Sequence, residues 1–461
     1  MTKTNFKLFI LILIIGFPLF AQKNQKLLDT VKLLSKTTLT QTGYCSDGTD
    51  RQRDGIRRFH GPMEARIIAS NKYQYIAYYE SNGEIVIARK KINSKSAWEK
   101  SILQGYKMKS EDRHNKIALS ISEGDGVIHL SFDHHNTPQF NYAHSPANAA
   151  TNPEAIVWDN SVFSLQPNLG LTTDTGLVTY PTFYQLNSSG NLLVYWRTGG
   201  SVGGEMNLAN YSSTDNKWQF IGKISSQEGT YNGQKGTRGP YTGNFIDDAN
   251  GTLHVAWVFR EREAQRDVKD SRNYGEHGLF YAQSSDGGFT WENNTGKTIA
   301  NVKSGKTMGI DNMRDVPVKI PMKLDPSHVG LTSILDPETD NLITLLNHYK
   351  PGTDKKANYL YIRTPMGVWT TQETNLDQRG KLTIQGERMF VFNESGISFS
   401  ERSSDFSDWN RIPFPITFKK GSTNWDLKNL DQGVATMVIQ YAPEEYGESS
   451  PIEIFDLKIF E

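Results

Sequence analysis

Cysteine is almost absent from this chain of 461 residues: Cys45 is the only one, so no internal disulfide can form and no cysteine cluster can hold a structural zinc ion. Charge of one sign is not in excess either, with 50 basic and 50 acidic side chains. That removes the broad positive field required for non-specific binding to nucleic acid, which is excluded as the expected partner. Sustained helical periodicity is missing from about residue 60 onward. The longest apolar run, LFILILIIGFPLFA, is about fourteen residues, short of the roughly twenty that cross a bilayer. It follows Lys3 and Lys7 and stops at Ala21 before QKNQK, the form of a secretory signal peptide over residues 1–21. The expected mature chain, residues 22–461, is a single secreted or periplasmic domain with no membrane span, acting as a monomer and held by packing alone.

What is there is repetition. Short stretches alternate apolar and polar residues and are broken by Gly, Asn and Asp turns, which predicts an all-β chain. EGDG at 123–126, NSSG at 187–190 and DANG at 248–251 each separate two such runs, as hairpin loops do. A third run recurs as VIARK at 86, NYAHS at 141, NLANYS at 207, FYAQS at 280 and YLYIRT at 359. A fourth usually carries tryptophan: Trp98, Trp158, Trp218, Trp291, Trp369 and Trp409. Hairpin units beginning near 63, 116, 181, 241, 329, 381 and 430 number seven, which predicts a seven-bladed β-propeller of four-stranded antiparallel blades. SSDGGFTW, Ser284 to Trp291, fits the Asp-box pattern of sialidase-type blades, and SSDFSDW, Ser403 to Trp409, is a decayed copy. Such a box is a folding device in which Asp286 caps its own turn.

In each blade the start of the first strand and the end of the second share a face. Pairing Ser122 with Val127 then sets His114 opposite His135 and within a residue of His134. Pairing Leu186 with Asn191 sets Tyr180 opposite Arg197, and the same counting sets Arg260 near Gly239 and Tyr241, and His348 beside His328. A lone histidine or arginine at a strand end is ordinarily a solvated rim residue; the coincidence of five of the ten histidines at one edge points to a site. His129 and His254 fall inside strands, where packing is the expected role. His60, His144 and His277 stay ambiguous, and His277 in NYGEHG is the candidate metal ligand. The basic run Arg51, Arg53, Arg57, Arg58 with Arg113 is either a solvated loop or a surface for an anionic polymer.

A His and a Tyr beside an Arg, without an evident carboxylate pair, suit proton abstraction next to a carboxylate better than glycoside hydrolysis, which ordinarily uses two acids. Arg pairs with the carboxylate bidentately and lets it take up enolate charge. A neutral imidazole accepts a proton at ordinary pH, and a phenol does so only where positive charge lowers its pKa from about 10.

At DRHNKIALSISEGDGVIHLSFDHHN, TYPTFYQL and VYWRTGG the chain resembles the secreted ulvan lyases built on a seven-bladed propeller with BNR-type repeats, polysaccharide lyase families twenty-four and twenty-five, the latter more closely. The resemblance runs from about residue 40 to the C terminus. It implies β-elimination on ulvan, a polysaccharide in which rhamnose 3-sulfate alternates with glucuronic or iduronic acid. His114 and Tyr180 would share the acid and base work, Arg197 would neutralise the uronate, and His134 would help hold it. Tyr241, Arg260, His348 and Arg113 are then candidate groove residues for sulfate or carboxylate groups. No cofactor is expected for the chemistry; a structural ion, zinc or calcium, is implied by the resemblance and unassigned apart from His277. Two other readings stand beside this one, a sialidase-like hydrolase and a non-catalytic glycan-binding propeller, because fold does not decide function.

Overall fold

The computed structural model describes residues 26–46, 61–231, 233–262, 274–313, 318–320, 323–324, 331–443 and 450–461. The expected leader, the basic run Arg51 to Arg58, His60 and His328 lie outside the described residues. Among the described residues seven antiparallel sheets of four or more strands are arranged as the blades of a propeller, as the repeat predicts, and Cys45–Ser46 pairs with Gly61–Pro62 in a separate two-stranded ribbon. Blade one is built from Arg66–Ser70, Tyr73–Tyr79, Glu84–Lys91 and Glu99–Lys107. Blade two is built from Ala118–Ser122, Val127–Ser131, Tyr142–His144 and Ser164–Leu165, and blade three from Val178–Gln185, Leu192–Gly200, Gly203–Ser212 and Lys217–Lys223. Blade four is the largest, with Gln234–Asp247, Leu253–Arg262, Tyr274–Ser284 and Thr290–Glu292 extended by short strands at both edges. Blades five and six begin at Leu331–Leu335 and Lys381–Gln385.

Blade seven differs from the expectation. Its first strand is Gly421–Asp426 rather than one near 430, and its fourth is the N-terminal Leu27–Gly43, paired with the C-terminal Ser450–Phe460 from Leu27 opposite Phe460 to Gly43 opposite Ser450. The two ends of the described chain thus close the ring. GSTNWD carries little apolar signal because only Trp425 and Asp426 are buried, and register shifts break the alternation of the N-terminal strand.

The two-residue period of the strands explains how blades stack. Along Tyr73–Tyr79, Tyr75, Ala77 and Tyr79 enter the core shared with blade two, while Ile76 and Tyr78 enter the core shared with blade seven, beside Val438, Ile452 and Ile454. Leu193 and Tyr195 likewise face Val255 and Trp257 of blade four, while Val194 and Trp196 face Phe140 and Tyr142 on the other side. Among these, each Val, Leu, Ile or Phe side chain fully removed from water contributes about 1.5–3 kcal/mol before entropy is counted. The Asp box is formed as expected: Asp286 accepts from Thr290 N at 2.8 Å and Ser284 Oγ at 2.9 Å, and buried Trp291 donates to Gly288 O at 2.7 Å. The first strands enclose an axial channel of about 1080 Å³, with His114 and Tyr180 among its lining residues.

Candidate active site

Two hairpins supply the site. The loop before Ala118 carries Asp112 and His114, and the exit of Val127–Ser131 carries His135. The start of Val178–Gln185 carries Tyr180, and the end of Leu192–Gly200 carries Arg197. The ladder of blade two runs with Ser122 opposite Val127 up to Ala118 opposite Ser131. Beyond it the two imidazoles still meet: the rings of His114 and His135 stack at 4.5 Å. Tyr180 closes the cluster, its ring 6.0 Å from His114 and 5.7 Å from His135.

The expected pairing of Tyr180 with Arg197 is off by one. Thr179 is the residue opposite Arg197, because the ladder shifts between Thr179 and Thr182 and Tyr180 sits in that bulge at φ +53°. A non-glycine residue in this region is strained and is held only by its surroundings. The bulge turns the phenol toward the histidines.

Asp112 ties the cluster together. This buried carboxylate accepts from Nδ1 of His114 at 2.5 Å and Nδ1 of His135 at 2.6 Å. Burial pushes its pKa up, but the bonds from both imidazoles outweigh that and hold the carboxyl well below the usual range. For His114 burial lowers the pKa, Asp112 opposes this, and the like charges of His135 and Arg113 add to the lowering, so the net direction is down. The Tyr180 phenol is pushed up by burial and by Tyr241, against the opposing pull of Arg197 and Arg260.

Arg197 is 3% exposed. Its Nη2 donates to Gly200 O at 2.9 Å, and its guanidinium carbon lies 4.3 Å over the Tyr241 ring. Nε has no hydrogen-bond partner among the described residues. Two glycines make room for this group: a Cβ on Gly239 would stand 2.5 Å from Arg197 Nη2, and one on Gly204 would stand 2.7 Å from it. Arg260 approaches the same Tyr241 ring at 3.9 Å and donates to its hydroxyl at 2.8 Å, but it is neutralised by Glu276 through Nε at 2.6 Å. Arg238 is likewise paired with Glu261 at 2.6 Å. Among the described residues no carboxylate lies within ion-pairing distance of Arg197. A buried cation without a counter-ion is costly.

The remaining expected residues fall elsewhere or are otherwise engaged. His134 is buried with Nδ1 bonded to Thr137 Oγ1 at 2.5 Å and Nε2 accepting from Asn141 N at 3.0 Å, and burial lowers its pKa to about 3. Both nitrogens of His134 are hydrogen-bonded to neighbours, and the adjacent His135 is the histidine whose ring meets His114. His348 stacks on Tyr359 at 4.1 Å, donates from Nδ1 to Tyr349 O at 2.8 Å and accepts at Nε2 from Tyr361 at 2.6 Å, a brace within blade five. Arg113 is exposed on the Asp112 loop. His277, the candidate metal ligand, is buried, stacked on Tyr231 at 4.3 Å and 3.5 Å from Glu261. Among the described residues the one group bringing three ligand-type atoms within 4.8 Å is Asp112, His114 and His135, and here each imidazole Nδ1 is hydrogen-bonded to its own oxygen of Asp112. Sequence reasoning did not pick out Asp112, although an acid two residues before a candidate histidine was there to be read. No described helix is long and apolar enough to cross a membrane.

Comparison with known proteins places the chain in a family. The long isoform of ulvan lyase from Alteromonas sp is 29% identical over 220 residues, 41% of this chain and 21% of that protein, and the long isoform from Pseudoalteromonas sp. (strain PLSV) is 30% identical over the same length. This chain therefore spans about a fifth of the length of those relatives. The short isoform of ulvan lyase from Alteromonas sp. (strain LOR) is 28% identical over 357 residues, 68% of this chain and 64% of that protein. Among solved structures, the polysaccharide lyase Uly1 superposes with a TM-score of 0.63 at 16% identity, covering 93% of this chain and all of that one. A second structure, described as a new family of polysaccharide lyase, PL25-Ulvanlyase, gives 0.61 at 11% identity over 93% of this chain and 96% of that one. Both show likeness of fold. The family model described as BNR repeat-containing family member matches residues 73–376, more than half of the chain, and the protein belongs to the BNR repeat-containing family.

Proposed function

We propose that this protein is a polysaccharide lyase that cleaves ulvan between rhamnose 3-sulfate and a uronic acid by β-elimination. The observation that carries the reading is Arg197: a buried guanidinium with no carboxylate partner among the described residues, in the same hairpin as Tyr180, on whose phenol its charge acts. Such a group is suited to an incoming carboxylate, and a uronate supplies one. The ulvan lyase relatives support the same substrate class, and the two lyase structures share the fold.

The pKa directions divide the work. His114, lowered, stays neutral at ordinary pH and takes the proton from C5 of the uronate. Arg197 stabilises the charge that develops on the carboxylate, with His135 assisting in place of His134. The C5 electron pair forms the C4–C5 double bond, and the C4–O4 bond breaks. Tyr180, raised, keeps its proton at ordinary pH and donates it to O4 as the C4–O4 bond breaks, so O4 becomes the hemiacetal hydroxyl of the neighbouring rhamnose. Every step runs through side chains of this chain, and the substrate is met by one chain acting alone, outside the cytoplasm. Tyr241, Arg260 and Arg113 line the approach to the reacting sugar.

The test is to incubate the protein with ulvan and follow the ultraviolet absorbance of a double bond conjugated to a carboxylate together with the appearance of reducing ends. Both should rise in equal molar amounts. Reducing ends without absorbance would mark a hydrolase, and neither signal would mark a glycan-binding propeller.

A further inference from the structure

We propose that Asp112 is a positioning residue that holds His114 and His135 in one tautomer, Nδ1 protonated and Nε2 carrying the lone pair, so that proton abstraction runs through Nε2. This rests on the reading of His114 as the base. The two oxygens of Asp112 are divided between the rings, Oδ1 to His114 Nδ1 at 2.5 Å and Oδ2 to His135 Nδ1 at 2.6 Å, and Oδ1 also accepts His114 N at 3.0 Å. An ionised carboxylate can only accept, so both Nδ1 atoms must donate to it. The stack of the two rings at 4.5 Å is the consequence of one shared anchor.

The anchor is itself held. Asp133, buried and at φ +59°, accepts from Lys109 N at 2.8 Å and Tyr106 Oη at 2.7 Å on one oxygen and from Asn115 Nδ2 at 2.7 Å on the other. Its own N–H donates to Tyr79 Oη at 2.9 Å, and that hydroxyl donates to Asn115 O at 2.9 Å. Residues 109 and 115, which flank the Asp112 loop, are thereby pinned to one side chain of blade two and one of blade one. A group oriented to this degree can set which nitrogen faces the substrate.

Asparagine at this position changes the arrangement. Its oxygen can accept from one imidazole, while its NH₂ donates to the other, which must then carry its proton on Nε2. The test is nitrogen–proton correlation NMR of the imidazoles in the wild-type chain and in Asp112→Asn, assigned with His114→Ala and His135→Ala, alongside kcat, KM on ulvan and Tm. The wild-type spectrum should show Nδ1–H in both rings. The variant should show one ring switched to Nε2–H, with kcat lower by about 10²–10⁴ and KM little changed. An Nε2–H tautomer of either ring in the wild-type chain would overturn the proposal even if the variant fails to fold. So would a folded variant whose kcat stays within about threefold of wild type. Full activity in His114→Ala would instead remove the base on which the proposal rests, so the two failures are told apart.

Discussion

Arg197 lies over the ring of Tyr241 at 4.3 Å with no carboxylate partner among the described residues, and an aromatic face attracts a cation but leaves its charge in place. Arg260, on the same ring at 3.9 Å, has Glu276 to pair with. The contrast makes Arg197 the group expected to meet the substrate carboxylate. Arg197→Ala should lower kcat/KM on ulvan by at least about 10²–10³ with little change in Tm. Arg197→Lys should recover little of that loss, because a point charge cannot replace a planar bidentate fork. Wild-type kinetics in Arg197→Ala would remove the residue from the reaction.

Gly239 offers a more selective probe. A methyl group there would stand 2.5 Å from Arg197 Nη2 and 3.0 Å from Ser201 O, and the far end of the arginine is what gives way. Gly239→Ala should therefore displace the guanidinium and reduce turnover by about 10²-fold while costing little stability. Activity and Tm measured on the same preparation check this; a stable variant with full turnover would show that the position of Arg197 is not critical.

Acid and base are separable. His114→Ala and Tyr180→Phe should each lower kcat by about 10²–10⁴, and a double variant should lose little more than the worse single one, because the two groups act on one event. Additive losses in the double variant would argue that the residues serve different steps.

The directions of the pKa shifts set the pH dependence. His114 is lowered from 6.5 and accepts a proton only when neutral, so activity is lost as pH falls through a value below 6.5. Tyr180 is raised from 10.0 and donates only while protonated, so its loss on the alkaline side falls above 10. The profile of kcat/KM should be flat between these limits. Among the described residues the groups that face His114 are Asp112, His135, Arg113 and Tyr180, and of these Asp112 alone draws its pKa upward. An acid limb above pH 7, measured across the range in one buffer series, would contradict the assignment.

Much of the architecture was legible because turn residues and alternation carry it. The Ser122–Val127 and Leu186–Asn191 turns set registers that the ladders follow until a bulge intervenes. Where the backbone departs from a ladder, counting fails. Tyr180 enters a left-handed conformation and shifts by one, whereas the count that set His114 opposite His135 is met by the stack of their rings. Asp112, Gly239 and Gly204 act through shape and hydrogen bonding rather than through any periodic pattern, and they become visible only once Arg197 and the two histidines are placed. The N-terminal strand escaped notice because its partner, Ser450–Phe460, lies at the other end of the chain.

The most direct measurement is the mass balance of cleavage. A defined ulvan tetrasaccharide digested by the wild-type protein and analysed by mass spectrometry should give two fragments whose masses add up to that of the substrate, one bearing the unsaturated uronate. Fragments that together exceed the substrate by one water would show hydrolysis and contradict proton abstraction at C5.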